Sequence, residues 1–325
     1  MTSPSTLSVR VRAMTWEAQS IVSLELVPLP PLTHLPAFSA GAHIDLHLNT
    51  PKGPQVRSYS LLNDPRETHR YCLGIHRDAN SRGGSSHVHA AVRVGDILTI
   101  GAPRNHFPLD ETSPHNVFIA GGIGITPMLS MIARSQSLGT PWTLYYAART
   151  REHAGFLDRL DSAAGSAGGQ VVLNFDQAPG GKMLDLQAIV ASLPERAHVY
   201  CCGPIPMLQA YEAATASLPP ERVHKEYFGA QDAPASEGGF TIELARSHKT
   251  LQVPAGKTIL DCLIEVNAEP TYACRDGVCG TCEVRVLEGT PDHRDMVLSE
   301  SDRAANNRII VCCSGAKSPK LVLDL

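Results

Sequence analysis

Apolar and polar positions along the chain change rhythm twice. Up to residue 112 the apolar residues fall in short runs, at 7–13, 21–26, 43–48, 58–62, 71–76 and 97–100. Short runs of β-branched or alternating apolar residues predict strands. Pro28, Pro30, Pro31 and Pro36 interrupt the chain between the second and third runs, and little helical period is present. Short strands with Gly and Pro turns predict a small antiparallel β-barrel over 1–112. From 113 the pattern alternates. Strands are expected at 116–120, 143–148, 170–175, 198–202 and 223–228, with helices at 127–138, 156–163, 184–193 and 206–217. That alternation predicts an α/β domain with a doubly wound parallel sheet over 113–229. A polar stretch of small residues, 230–238, reads as a linker. A hairpin at 240–244 and 249–253, a helix at 258–266 and strands at 283–288 and 308–312 then make a compact α+β module over 239–325.

Composition narrows the class. The chain has 325 residues, 43% of them hydrophobic and 18% charged, which suits packed domains and excludes a disordered chain. The net charge of −4 argues against a nucleic-acid binder. No apolar run approaches the ~18 residues of a membrane span, and the N-terminal residues carry no apolar signal core. A cytoplasmic chain is therefore expected. Its nine cysteines then point to metal or reactive thiols rather than disulfides.

Six of those cysteines lie between Cys262 and Cys313. Cys274, Cys279 and Cys282 have the spacing C-x4-C-x2-C of a plant-type [2Fe–2S] cluster. Two irons bridged by two sulfides need four thiolates, and the fourth comes from Cys312 or Cys313. Adjacent residues on a strand face opposite ways, so only one of the two can serve. Gly277 and Gly280 let the backbone approach the sulfurs and donate to them. A structural zinc site would more often show paired C-x2-C knuckles. Cys262, on the predicted helix, reads as a small core residue.

Other motifs suggest nucleotide and flavin binding. Gly121-Gly122-Ile123-Gly124 follows a strand and opens a helix, where free N–H groups favour a diphosphate. Cys202-Gly203-Pro204 ends a later strand of the same sheet, so both motifs can line one crevice. On the barrel, Arg57-Ser58-Tyr59-Ser60 offers a cation, hydroxyls and a stacking ring; its ordinary alternative is a plain strand with a surface Arg. Arg82-Gly83-Gly84-Ser85-Ser86 has phosphate-cradling potential, or is a plain surface turn. Arg149 and Arg151 follow the second parallel strand, where a 2′-phosphate could be read, although ordinary surface arginines are the better explanation.

Taken in order, R-S-Y-S, R-G-G-S, G-G-I-G-I-T-P, C-G-P, Y-F-G-A and C-x4-C-x2-C resemble the phthalate dioxygenase reductase family, which includes vanillate O-demethylase reductases. The stretches 103–110, 198–204 and 293–298 also resemble it. The resemblance covers essentially the whole chain. It implies an FMN-binding barrel, an NADH-binding α/β domain and a β-grasp [2Fe–2S] ferredoxin domain. It carries FMN contacts onto Arg57, Ser58, Tyr59, Ser60, Gly74, Ile75, His76, Gly83, Gly84, Ser85, Thr126 and Phe228, with Phe228 over a flavin face. NADH contacts fall on Gly121, Gly122, Gly124, Cys202, Gly203 and Pro204. Cluster ligands fall on Cys274, Cys279, Cys282 and Cys312. Cys313 departs from the small apolar residue usual after the fourth ligand, and His76 from the usual Lys.

The function so implied is a converter of two-electron to one-electron transfer, from NADH through FMN and the cluster to a Rieske-type oxygenase. The cofactors carry the redox chemistry, so no catalytic acid–base dyad is expected. Glu226 and Cys202 are placed near the flavin–nicotinamide junction. The alternatives are a reductase serving a cytochrome P450 or a ferredoxin, and an electron carrier or redox sensor without turnover. From residue 239 onward, 10 basic and 12 acidic residues are too balanced to name a partner. The resemblance implies a monomer.

Overall fold

The computed structural model describes residues 6–79, 83–165, 168–228, 234–268 and 270–325. Arg82 and 229–233, the front of the expected linker, lie outside them. The chain divides into two units, Met1–Phe228 and Gly229–Leu325.

The first unit begins with β1 (Thr6–Ala18), β2 (Ile21–Pro28), β3 (His43–Thr50), β4 (Gly53–Ser60), β5 (Tyr71–His76), α1 (Gly84–Ala91) and β6 (Ile97–Gly101). The strands form one antiparallel sheet in the order β4-β3-β6-β1-β2-β5. Its two edges meet where Leu61 bridges Leu73 and the Leu62 N–H donates to the Cys72 carbonyl at 3.0 Å. That contact curls the sheet into a barrel and covers edges that would otherwise be open to pairing. Val9 and Val11 alternate inward on β1 and pack with Leu24, Leu26, Ile44 and Ile100.

Helix α1 replaces the turn expected around 82–86. Gly83, at φ 122°, caps it, and only Gly84 and Val88 within it are buried. A helix with one large apolar side chain leaves no period to read in the sequence.

The same unit continues through β7 (Asn116–Gly121), α2 (Ile125–Leu138), β8 (Trp142–Ala148), α3 (Leu157–Ala164), β9 (Gly169–Phe175), α4 (Leu186–Ala191), β10 (His198–Cys202), α5 (Ile205–Thr215) and β11 (Val223–Glu226). All neighbours pair in parallel, in the order β11-β10-β7-β8-β9. Every residue of β7 is buried, as expected of a strand covered on both faces. Helix α2 ends at Gly139, whose φ of 71° is the left-handed stop that glycine favours. The sheet order reverses at β7, with β8 and β9 on one side and β10 and β11 on the other. Beyond the carboxyl ends of β7 and β10 lies the switch point where open α/β sheets bind ligands. Ile21, Leu62 and Cys72 of the barrel share one core with Phe118, Met128 and Phe156. Barrel and parallel sheet are thus packed into a single interior.

The second unit holds β12 (Phe240–Leu244), β13 (Lys249–Val253), α6 (Ile259–Glu265), β14 (Glu283–Glu288), β15 (Pro291–Asp292), α7 (Glu300–Ala305), β16 (Arg308–Ile310), β17 (Gly315–Ala316) and β18 (Lys320–Leu323). The main sheet runs β13-β12-β18-β14-β16, with β18 parallel to β12. Helix α6 packs Leu260 and Leu263 into the core with Ile242 and Leu321, the β-grasp arrangement. Its start is a reciprocal cap. The Asp261 N–H donates to Thr258 Oγ1 at 3.2 Å, and the Thr258 N–H donates to Asp261 Oδ2 at 3.0 Å.

The strand expected at 308–312 stops at Ile310. The N–H groups of Cys313 and Ser314 both donate to the Ile310 carbonyl, at 3.3 and 3.1 Å, and curl the chain into a turn. Cys312 and Cys313 are therefore not alternating strand positions, and that argument for choosing between them falls. No described helix is long and apolar enough to cross a membrane.

Candidate cofactor sites

The two motifs of the parallel sheet meet at the switch point. A Cβ built on Gly121 would lie 2.6 Å from Pro204 Cδ. On Gly124 it would lie 2.1 Å from the Cys202 carbonyl oxygen and 2.9 Å from the Gly203 nitrogen. Gly203 in turn approaches Gly121, its own Cβ position 3.2 Å from Gly121 Cα. Gly121, Gly124, Gly203 and Pro204 thus form one floor on which β7 and β10 end. Gly122 is different. Its φ is 54°, and a Cβ there would meet nothing within 4 Å, so it faces open space where a ligand could approach.

At the end of β11, Glu226 stands in register with Cys202. Among the described residues its buried Oε2 has no hydrogen-bond partner. Burial raises the carboxyl to about 8. Burial also pushes the Cys202 thiol well up, and the Glu226 charge adds to this. Arg149 and Arg151 are exposed beyond β8.

The barrel residues gather at two places. Gly74 on β5 presses against the start of α2, where a Cβ on it would lie 2.6 Å from Thr126 Cγ2 and 2.7 Å from Phe156 Cζ. Thr126 Oγ1 donates to the Ile123 carbonyl at 3.0 Å. The second place is the start of α1. A Cβ on Gly84 would lie 2.7 Å from Arg57 Cγ, so Arg57 lies against the first turn of that helix. Ser85 Oγ accepts from the Asp78 N–H at 3.3 Å. Helix α1 has no side-chain cap and no acidic residue in its first turn, an end suited to an anion.

Along β4, Arg57 donates to the Val56 carbonyl at 2.8 Å and to Gln55 Oε1 at 2.6 Å. Ser58 Oγ donates to Asp45 Oδ1 at 2.8 Å. Burial raises the Tyr59 hydroxyl to about 12, and Ser60 is buried. The Ile75 side chain is in the barrel core, which leaves a ligand only its backbone. His76, at the end of β5, is exposed. Phe228 follows β11 with 43% of its surface exposed, a large ring with room for a planar partner.

In the second unit the cysteine loop winds tightly. Arg275, Gly277 and Gly280 have φ of 60°, 72° and 69°. The Asp276 N–H donates to Cys274 Sγ at 3.3 Å. Cys274, Cys279 and Cys312 are all buried. Cys279 Sγ lies 3.2 Å from Thr281 Oγ1. Cys282 is buried at the start of β14. Among the described residues no three His, Cys, Asp or Glu side chains converge as a lone metal ion requires. The Asp276 N–H already faces Cys274, as a donor to a ligand sulfur would.

Comparison with known proteins agrees with this layout. The family model described as "Oxidoreductase NAD-binding domain" matches 118–213, and that described as "2Fe-2S iron-sulfur cluster binding domain" matches 242–317. The phenoxybenzoate dioxygenase subunit beta of Ectopseudomonas oleovorans is 53% identical over 98% of this chain and 97% of its own. The structure of phthalate dioxygenase reductase, described as "a modular structure for electron transfer from pyridine nucleotides to [2Fe-2S]", matches over 100% of both chains, with TM-score 0.74 and 37% identity. This chain belongs to the phthalate dioxygenase reductase family. An intact type IV self-sufficient cytochrome P450 monooxygenase also matches, with TM-score 0.85 and 35% identity over 98% of this chain. The present chain spans only 41% of that protein.

Some features of this family member were not legible as site residues. Asp45 ties Ser58 to Arg104, whose Nη2 donates to Asp45 Oδ2 at 2.7 Å. His43 sits beside them, its buried Nε2 without a partner among the described residues; burial and Arg104 depress it to about 4. Phe156 and Met207, which press on Gly74 and Gly121, lie in segments without a motif. Only their apolar character could have marked them.

Proposed function

We propose that this chain is the reductase component of a two-component Rieske-type aromatic oxygenase. It takes hydride from NADH and delivers single electrons to the oxygenase. The observation that carries this reading is the match to phthalate dioxygenase reductase over the whole of both chains. When bound, FMN accepts the electron pair from NADH and the [2Fe–2S] cluster passes the electrons on singly.

The domains are assigned as 1–112 to FMN, 113–229 to NADH, 230–238 to the linker and 239–325 to the cluster. Gly83, Gly84 and Ser85 at the start of α1 take the FMN phosphate, with Arg57 beside them. Ser58, Tyr59, Ser60 and His76, with the backbone of Gly74 and Ile75, border the ring, and Thr126 closes it from α2. Phe228 covers a ring face and keeps water from it. Gly121, Gly122, Gly124, Cys202, Gly203 and Pro204 form the NADH crevice, where Glu226 and Cys202 face the nicotinamide. Cys274, Cys279, Cys282 and Cys312 hold the cluster. All described cysteines are free thiols, which suits the reducing cytoplasm.

The test is an anaerobic NADH titration of the purified protein, followed by absorbance and EPR. Flavin bleaching with a rhombic [2Fe–2S] signal is expected. If neither changes with NADH or NADPH, the reading fails. A second reading, in which the acceptor is a haem domain, is favoured by the match to the P450 monooxygenase. Reconstitution with an oxygenase, a P450 and a ferredoxin separates the two.

A further inference from the structure

We propose that residues 294–298 are a brace that holds the cysteine loop at a fixed spacing from the Cys312 turn, with Asp295 as its positioning residue. The proposal rests on the reading of Cys274, Cys279, Cys282 and Cys312 as the cluster ligands.

The brace bonds to both ligand-bearing segments. Its Met296 N–H donates to the Gly277 carbonyl at 2.9 Å, and Gly277 lies between Cys274 and Cys279. The approach is close, since a Cβ on Gly277 would lie 3.3 Å from Asp295 Cα. At the other end the Arg294 N–H donates to Ser314 Oγ at 3.2 Å, in the turn that carries Cys312. Three ligands come from the loop and the fourth from the turn. They can share one cluster only while the two segments keep their spacing.

Asp295 shapes the brace. It is fully buried. Its Oδ1 accepts from the Val297 N–H at 3.0 Å and from the Leu298 N–H at 2.7 Å. These bonds close the chain into a turn around Met296, the residue that holds the loop. The turn is tied down on a further side. Arg303 Nη2 on α7 donates to the Asp295 carbonyl, and Leu298 packs in the core of the unit. Without Oδ1 the buried Leu298 N–H would be left unpaired, which disfavours the closed turn. Only one carboxylate oxygen is used. Among the described residues the buried Oδ2 takes no hydrogen bond. Asparagine can therefore repeat the turn with its amide oxygen while removing the charge.

The test uses the full chain carrying Asp295→Ala, Asp295→Asn or Ser314→Ala, with iron and sulfide assayed first. Cluster loss to a chelator is followed by absorbance, and the reduced cluster by EPR. Asp295→Ala should shorten the cluster lifetime about tenfold or more, as two hydrogen bonds to a charged acceptor are lost. Its EPR lines should broaden as the ligand spacing varies. Asp295→Asn should keep the parent line widths and a lifetime within about twofold of the parent. Ser314→Ala, which frees the other end by a single neutral bond, should shorten the lifetime roughly threefold to fivefold. Parent-like lifetime and line widths in Asp295→Ala overturn the proposal. So does equally fast loss from Asp295→Asn and Asp295→Ala, which would make the charge decisive and not the turn. Should Asp295→Ala fail to fold, an unchanged lifetime in Ser314→Ala overturns the proposal by itself. A parent chain lacking any [2Fe–2S] signal overturns the ligand reading instead, and the proposed function with it.

Discussion

Gly124 lies so close to Cys202 that a Cβ on it would fall 2.1 Å from the Cys202 carbonyl oxygen. The obstacle is backbone on a buried central strand, so it cannot swing aside. Gly124→Ala should cost about 3 kcal/mol of stability, the upper end of ordinary overpacking, and weaken NADH binding at least tenfold as the crevice floor separates. Gly122→Ala is the control. It meets open space and bears only the strain of φ 54°, about 1 kcal/mol. Urea melts and NADH titrations of both variants decide the matter; equal costs at the two positions would refute the close-approach argument.

Glu226 imposes a pH dependence of its own. Its carboxyl is pushed up to about 8 by burial, so the folded state holds a proton that the unfolded chain releases near 4.5. A group raised in this way contributes stability below pH 4.5 and loses it as pH rises towards 8. Glu226→Gln should therefore match the parent at pH 4 and exceed it at pH 8, by on the order of 3 kcal/mol. Denaturant midpoints at the two pH values check this. A variant less stable than the parent at pH 8 would mean that the carboxylate is ionised and paired.

The opposite slope comes from His224. Burial, with His198 3.0 Å away, depresses its imidazole to about 4, while Asp110 pulls weakly the other way. The unfolded chain takes up that proton first, near 6.5. Stability is present above 6.5 and is lost as pH falls towards 4. Replacement by Gln should make thermal stability less steep over this window, by roughly 2 kcal/mol at its lower end. An unchanged slope between pH 6.5 and 4 would show that the ring is not held neutral.

Cys279→Ser tests how far the two halves of the electron path are separate. The cluster should be lost, read as lost visible absorbance and EPR signal, while NADH still bleaches the flavin. Transfer to a ferredoxin-type acceptor should fall by more than tenfold. A variant that still passes electrons to such an acceptor at the parent rate would overturn the proposed wiring.

What the sequence made legible was mostly what backbone chemistry demands. Gly124 and Gly203 could be read because no other residue fits where two strand ends meet. The C-x4-C-x2-C loop could be read because cluster geometry sets its spacing. That the ends of β7 and β10 meet could be read from two motifs placed at strand ends in an alternating pattern. Helix α1 was hidden, since GSSHVHAA buries little and its helicity comes from packing Val88 under the barrel wall. The turn at Cys312 and Cys313 was hidden as well, because a run of apolar residues reads as continuous strand and only the local hydrogen bonds of Cys313 and Ser314 to the Ile310 carbonyl end it. Ile75 shows a subtler limit. A residue can sit within a binding motif while its side chain belongs wholly to the core, so the type of residue says nothing of how it touches a ligand.

In the second unit, β18 lies between β12 and β14, in the middle of the sheet, yet it follows every cysteine in the chain. During synthesis the cysteine loop leaves the ribosome before the strand that closes the sheet around it. The thiols are then held by a chain that cannot complete its core until Leu323 has emerged. Iron and sulfide must therefore either be delivered to an open, incompletely folded loop or wait until translation has passed that point.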